Sequence, residues 1–349
     1  MKRFINIAAL TIALIMAFVT AGCTGGGATA TVPAGTADIP TESARTEKPY
    51  QQRTQVRIGV LNGPTGMGAV RLMQDNKEEN TLNRYDFQQF SAPTDILPLL
   101  IKGELDIAAV PTNLAATLYN KTKGGVKLLA LNTLGVLYVL SRDESVKSLS
   151  DLEERKVVIS GQGSTPEYAF DYILDSNGIK DKVNVEFAAD HSSLVAMCAA
   201  GTADTVVLPE PFATVLLSKN IGFNRCIDLN KEWDSASRGQ SIFSMGCLVV
   251  RAEFAQQQPE AVADFLKEYG KSVEYVNADN DSAARLIKEF GIVADAEIAK
   301  AALPQCNIVC IDGQDMKAKT DAFLKLMHGY NPQSVGGSVP GDDFYYEAK

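Results

Sequence analysis

Ile101-Lys102-Gly103-Glu104-Leu105-Asp106-Ile107-Ala108-Ala109-Val110-Pro111 is answered, 98 residues later, by Ala199-Ala200-Gly201-Thr202-Ala203-Asp204-Thr205-Val206-Val207-Leu208-Pro209. Both stretches obey Gly-x-x-Asp-x4-Pro, with Gly103, Asp106 and Pro111 in the first and Gly201, Asp204 and Pro209 in the second. In each, Gly stops a helix, a short β-branched or Ala-rich run follows, and Pro ends the strand. Working backwards, each unit opens on another strand, Val56-Arg57-Ile58-Gly59-Val60-Leu61 or Lys156-Val157-Val158-Ile159-Ser160. Strand start to helix stop takes 47 residues in one unit (Val56 to Gly103) and 44 in the other (Val157 to Gly201). Short β-rich runs alternating with helical periodicity predict α/β architecture with parallel strands. The repeated order predicts two lobes of one topology.

Open parallel sheets bind ligands beyond the carboxyl ends of their strands, where helix N-termini converge. Two such lobes face to face make a cleft that closes on a hinge. The pattern predicts crossings at Leu137-Tyr138-Val139-Leu140-Ser141 and Cys247-Leu248-Val249-Val250. Lobe I is expected at 55–141 plus 247–349 and lobe II at 142–246. Helices are expected at Glu260 to Val276, Ala283 to Phe290 and Asp315 to Met327. Thr94-Asp95 and Ser192-Ser193 read as helix caps.

Residues 1–54 read differently. Lys2 and Arg3 precede an apolar run from Phe4 to Val19, which ends at Thr20-Ala21-Gly22-Cys23. The run is shorter than the roughly 20 residues that span a bilayer comfortably, and it ends in small residues, the form of a cleaved export signal over 1–22. The other reading is an uncleaved membrane anchor. From Thr24 to about Arg53 the chain is Gly, Ala, Thr and Pro with almost no large apolar residue, so 23–54 reads as a flexible tether.

The 349 residues carry 33 Lys+Arg, 42 Asp+Glu and two His, for a net charge of −9, which falls to −11 once residues 1–22 are removed. That balance argues against a nucleic-acid binder. Two His and no closely spaced Cys/His group leave little for a zinc site, and neither metal nor cofactor is expected. Besides Cys23 there are Cys198, Cys226, Cys247, Cys306 and Cys310, read mostly as packed thiols with pairing undetermined.

The candidate ligand residues lie on the loops after the strands. Asn62, Thr65, Gly66 and Met67 belong to Asn62-Gly63-Pro64-Thr65-Gly66-Met67-Gly68, a permissive turn with free N–H groups at a helix start. No Gly-Lys-Ser/Thr follows, so it is not a phosphate-binding Walker loop; a glycine-rich turn without ligand is the alternative. Thr112 and Asn113 follow Pro111, and Asn132 and Thr133 add polar lining from lobe I. Gln162, Ser164, Thr165, Tyr168 and Glu210 would come from lobe II. Ser164 with Glu167, or Thr165 with Pro166, equally reads as helix capping. His191 and His328 read as surface or capping residues. There is no Gly-x-Ser-x-Gly elbow, no His-Glu-x-x-His and no Cys–His arrangement, so nothing demands an enzyme.

The export signal ending at Cys23, the run 101–110, Ser148-Leu149-Ser150-Asp151-Leu152 and Asp204 with Glu210-Pro211-Phe212 together resemble one family. Over roughly 55–330 the chain is similar to the substrate-binding lipoproteins of ABC importers for nitrate, sulfonate, taurine and thiamine-pyrimidine-like compounds. The resemblance implies the two-lobed type II periplasmic binding protein fold with two interlobe crossings. It implies lipidation at Cys23, anchoring at the outer face of the cell membrane, a monomer, a small-molecule ligand, and as partners an ABC permease and its ATPase. By the family pattern, ligand contacts fall on Thr65, Gly66, Met67, Thr112, Asn113, Gln162, Ser164, Thr165 and Glu210. Helix N-termini favour a sulfonate-like oxyanion. The loops carry Glu167 and Glu210 but no Lys or Arg nearer than Arg71, which tilts the expectation toward a neutral or amine-bearing, pyrimidine-like heterocycle. The alternatives are a chorismate-dehydratase-like enzyme on the same fold and a lipid-anchored sensor lobe.

Overall fold

A computed structural model describes residues 48–347. The expected export signal, Cys23 and the tether as far as residue 47 lie outside the described residues. Residues 48–54, expected as the end of the tether, are tied to the fold. The Tyr50 hydroxyl donates to Asn76 Oδ1 at 2.6 Å, and the Arg53 guanidinium donates to the carbonyls of Glu79 and Thr81. Residues 48–54 therefore belong to the folded body, anchored by Tyr50 and Arg53.

The first lobe opens with β1 (Gln55–Leu61), α1 (Pro64–Met67), α2 (Val70–Lys77), β2 (Arg84–Phe90), α3 (Pro93–Lys102), β3 (Ile107–Pro111), α4 (Thr112–Thr122) and β4 (Val126–Leu134). The second holds β5 (Leu137–Ser141), β6 (Lys156–Ile159), α5 (Thr165–Ser176), β7 (Asn184–Phe187), α6 (His191–Ala199), β8 (Thr205–Pro209), α7 (Phe212–Ser218), β9 (Asn224–Asp228) and α8 (Leu229–Ser237). The chain then returns through β10 (Ser244–Arg251), α9 (Ala252–Gln257), α10 (Pro259–Ala278), α11 (Asn280–Glu289), α12 (Ala296–Ala302), β11 (Ile308–Ile311) and α13 (Gly313–Tyr330). The sheets run β11-β4-β10-β3-β1-β2 and β7-β6-β8-β5-β9. In the first, β1 is parallel to β2 and β3, while β10 is antiparallel to β3 and β4. In the second, β6 is parallel to β7 and β8, while β5 is antiparallel to β8 and β9. Strand for strand, β2-β1-β3-β10-β4 repeats as β7-β6-β8-β5-β9.

This correspondence corrects the expected crossings. Leu137–Ser141 is not a bridge between lobes but a buried strand inside the second sheet, paired on both edges. Cys247–Val250 likewise lies inside the first sheet, within a strand that starts at Ser244. The crossings fall before these strands, at Gly135-Val136 and between α8 and β10. The second lobe therefore spans about 137–243 instead of 142–246. Continuous apolar runs buried on both faces carry no mark of which sheet they join.

The repeated Gly-x-x-Asp acquires its reason here. Gly103 and Gly201 sit at φ +74° and +73°, the left-handed conformation that closes a helix. Asp106 and Asp204 each meet an arginine at the far end of the neighbouring antiparallel strand. Arg251 N donates to the Asp106 carbonyl at 2.9 Å and Arg142 N to that of Asp204 at 3.0 Å. The side chains follow, with Arg251 Nη2 3.2 Å and Arg142 Nη1 2.9 Å from the carboxylates. Elsewhere the capping differs in detail. Asp190, not Ser192 or Ser193, caps α6 through Ser193 N, and α3 starts at Pro93 with no side-chain cap from Thr94 or Asp95.

One hydrophobic cluster runs through both lobes, from Leu61, Ile96 and Leu105 to Phe170, Trp233 and Phe323. Trp233 is stacked on Phe243 at 4.8 Å, beside the second crossing. Cys198, Cys226, Cys247, Cys306 and Cys310 are all free, and burial pushes the Cys198 thiol up to about 11 and Cys310 up to about 12. Among the described residues no helix is long and apolar enough to cross a membrane, and no group of His, Cys, Asp and Glu is placed to hold a metal.

Candidate functional site in the interlobe cleft

The loops after β1, β3 and β4 meet those after β6 and β8 where the lobes face one another. Thr165, the first residue of α5, donates from Oγ1 to Asn113 Oδ1 at 3.0 Å, a buried bond between lobes. The Asn113 amide nitrogen donates to the Ser334 carbonyl at 3.0 Å. Beside it, the Thr112 hydroxyl shares a 2.8 Å bond with Ser244. A second cluster joins Thr65, Asn132 and Thr133. Asn132 Nδ2 donates to the Thr65 carbonyl at 3.1 Å, and Thr133 Oγ1 to Asn132 Oδ1 at 3.2 Å. Gly246 of β10 makes room for this cluster, since a Cβ there would lie 2.5 Å from Thr65 Cγ2 and 2.7 Å from Asn132 Oδ1.

Other expected residues do different things. Gly66 is required by close approach, as a Cβ would come within 2.4 Å of the Leu61 carbonyl. The Met67 side chain is fully buried in the core of the first lobe. Asn62 and Gln162 are exposed. Ser164 does not cap α5; its hydroxyl donates to the Gly161 carbonyl at 2.6 Å, and the Glu167 carboxylate accepts from Gly163 N at 2.5 Å. Tyr168 is half-buried against the core cluster.

Glu210 is not an available carboxylate. Its side chain is 0% exposed and ion-paired with Arg225 of β9, while its Oε2 accepts from Thr214 N at 3.1 Å. Burial pushes the Glu210 carboxyl upward, and Arg225 and Thr214 pull against it. The Arg225 guanidinium also lies 4.1 Å from the centroid of the Tyr138 ring. Tyr138 in turn donates to Gln305 Oε1 of the first lobe at 3.2 Å. Burial is the main reason that the Tyr138 hydroxyl is raised to about 12. The charge argument for an amine-bearing ligand loses this support, because the pair is neutral as a unit.

Sequence reasoning missed Arg225, Ser244 and Gln305. Arg225 stands 15 residues from Glu210 with no periodic relation to it, and Ser244 reads as the edge of an apolar run. His191 is also misplaced by that reasoning. Its ring packs on Phe212 at 5.0 Å, with Nδ1 2.5 Å from Ser160 Oγ, and burial lowers it to about 4, so it is neutral at physiological pH. Ser160, His191 and Phe212 mark three successive strand-to-helix junctions of the second lobe.

The lobes touch elsewhere too. Helix α12 of the first packs against α7 of the second, and the Gly63 turn approaches Pro211. The two lobes are thus in direct contact on both sides of the cleft.

The model of the NMT1-like family matches residues 51–290. The chain belongs to that family. Solved structures give this NMT1-like chain its architectural relatives. An ABC transporter structure from Parabacteroides distasonis aligns with a TM-score of 0.71 and 23% identity, over 85% of this chain and 100% of that one. The periplasmic aliphatic sulphonate binding protein SsuA from Escherichia coli aligns at 0.67 and 14%, over 86% and 94%. The periplasmic nitrate-binding protein NrtA from Synechocystis PCC 6803 aligns at 0.55 and 11%, over 76% and 75%. At these identities the likeness is one of fold, the type II periplasmic binding protein fold. No curated protein matches the sequence.

Proposed function

We propose that this NMT1-like chain is the extracytoplasmic substrate-binding component of an ABC importer, lipid-anchored through Cys23 at the outer face of the cell membrane. In this reading it captures a small polar organic ligand between its lobes, sulfonate-like or pyrimidine-like, and presents the closed form to a permease and its ATPase. The observation that carries the reading is the Thr165–Asn113 bond. It brings together, across the cleft, a residue that follows β3 of the first repeat and one that follows β6 of the second. A ligand seated there bridges the lobes with groups that now bond within the protein: the Thr65 carbonyl, the Thr112, Thr133 and Thr165 hydroxyls, and the Asn113 and Asn132 side-chain amides. These groups are neutral, so they recognise acceptors and donors in fixed places instead of net charge. The solved relatives, with an ABC transporter, a sulphonate-binding protein and a nitrate-binding protein among them, support the same class of function.

Thermal unfolding of the purified protein against sulfonates, pyrimidines, amino acids and vitamins tests this. A true ligand at one hundred times its Kd stabilises by about 2.7 kcal/mol, which raises the Tm by several degrees. Thr65→Ala and Thr165→Val should remove that rise while leaving the ligand-free Tm within a few degrees. No stabilisation by any compound, or turnover of chorismate by the purified protein, would overturn the reading.

A further inference from the structure

The C-terminal helix belongs to the first lobe by chain but packs against both lobes. α13 continues from β11, an edge strand of the first sheet, and packs on β4 of that sheet, yet it also reaches α5 of the second lobe and, through Phe323, Trp233 of α8. Phe323 meets Trp233 at 5.5 Å, and Tyr330 meets Tyr172 edge-on at 5.5 Å. Lys180 closes this end, with Nζ 2.9 Å from Asp171, donating to the Tyr330 hydroxyl at 2.8 Å and lying 5.2 Å from its ring centroid.

The turn that follows returns to the first lobe. Asn120 Nδ2 donates to the carbonyls of Val335 and Ser338 at 2.9 and 2.7 Å, and Asn113 Nδ2 to that of Ser334. Gly336, at φ +80°, presses on α4 so closely that a Cβ would stand 2.8 Å from Thr117 Cα. Asn113 is thus bonded on one side to this turn and on the other, through Thr165, to the second lobe.

We propose that α13 and the turn after it form a clasp, a third and non-covalent link that holds closed two lobes joined covalently by only two crossings. Rotation of the lobes must break one end of it. The first-lobe end is held by chain continuity with β11 and by the bonds from α4, so the second-lobe end, at Lys180 and Tyr330, gives way. The Thr165–Asn113 bond and the Lys180–Tyr330 contact then part in the same motion. The geometry assigns the clasp independently of what the cleft binds.

Hydrogen exchange and small-angle scattering on the full-length chain without added ligand test this, in Lys180→Ala, Tyr330→Phe and Thr165→Val. Each variant should raise the radius of gyration. Each should speed exchange of the amides of 321–330 by about tenfold, the effect of losing one charge-assisted or buried hydrogen bond. The amides of β3 and β8 should stay protected, which shows that both lobes remain folded. Thr165→Val is the discriminating variant, because the bond it removes is to Asn113 of α4 and not to α13. Wild-type exchange over 321–330 and an unchanged radius in Lys180→Ala and Thr165→Val, with both sheets protected, would overturn the clasp. Failure of every compound in the thermal screen would leave these readings untouched.

Discussion

At the scale of single residues, the two halves of the repeat share a motif but not its energetics. Asp106 is 2% exposed and accepts from Arg57 N, Nε and Nη2 as well as from Arg251. Asp204 is 68% exposed and meets Arg142 alone. Removing one partner of a buried ion pair strands the others, at a cost of about 3 kcal/mol, whereas an exposed pair is worth under about 1 kcal/mol. In urea unfolding, Asp106→Asn should therefore lose about 3 kcal/mol, and Asp204→Asn less than about 1 kcal/mol. Equal losses would show that the motif does the same job in both lobes. The sequence displays both aspartates at matched positions, yet burial depends on what covers them. Arg57 on β1 supplies three of the four donors to Asp106, and the corresponding strand β6 carries Lys156, which pairs with Glu186 instead. The same limit applies in the cleft. Thr165 and Asn113 were legible because each stands beyond a strand end, while Arg225, inside the edge strand β9, carried no positional signal.

At the scale of elements, alternation and punctuation made the strands, the three long C-terminal helices and the two lobes legible. Membership of a sheet was not, because β5 and β10 are apolar on both faces and fit either sheet equally well. The true first crossing is the shorter stretch before β5, and Gly135 makes it possible. A Cβ at Gly135 would lie 1.9 Å from Asn230 Oδ1 and 2.7 Å from Phe243, while its carbonyl accepts from Asn307 Nδ2 at 2.5 Å. Three segments from the two lobes therefore converge on one residue without a side chain. Gly135→Ala forces Asn230 and Phe243 apart at the crossing itself. The expected result is a loss of about 1–3 kcal/mol from overpacking, with both sheets retained by circular dichroism and a shifted lobe angle in scattering. A variant with wild-type stability and radius would show that the crossing yields without strain.

For the molecule as a whole, stability should depend on pH through Glu268, which ties α10 to the segment around β2. Its carboxylate accepts from Leu82 N at 2.7 Å and from the Tyr85 hydroxyl at 2.5 Å. Burial is the main cause of a rise to about 7, with Asp264 adding to it and Lys271 opposing it. The folded protein thus holds this proton more tightly than the unfolded chain, whose Glu titrates near about 4.3. The stabilisation is complete below that lower value and is lost as pH rises through about 7. Melting temperatures should fall between pH 5 and pH 8 in the wild type, and Glu268→Gln should flatten the slope. An equal slope in both would assign the dependence elsewhere. The strand exchange between lobes reaches further than equilibrium stability. β10 lies between β3 and β4 and is separated from both by the entire second lobe, so the first sheet stays split into two pieces until residue 251 has been made. The second lobe has no such gap in its sheet, since all five of its strands lie between 137 and 228. Pairings of long sequence separation form slowly, because loop closure precedes the contacts that reward it. The order of assembly therefore runs against the order of synthesis: the inserted lobe has all its strands by residue 228, whereas the lobe begun at the N-terminus joins its two pieces only when β10 slots home and gains its edge strand β11 later still.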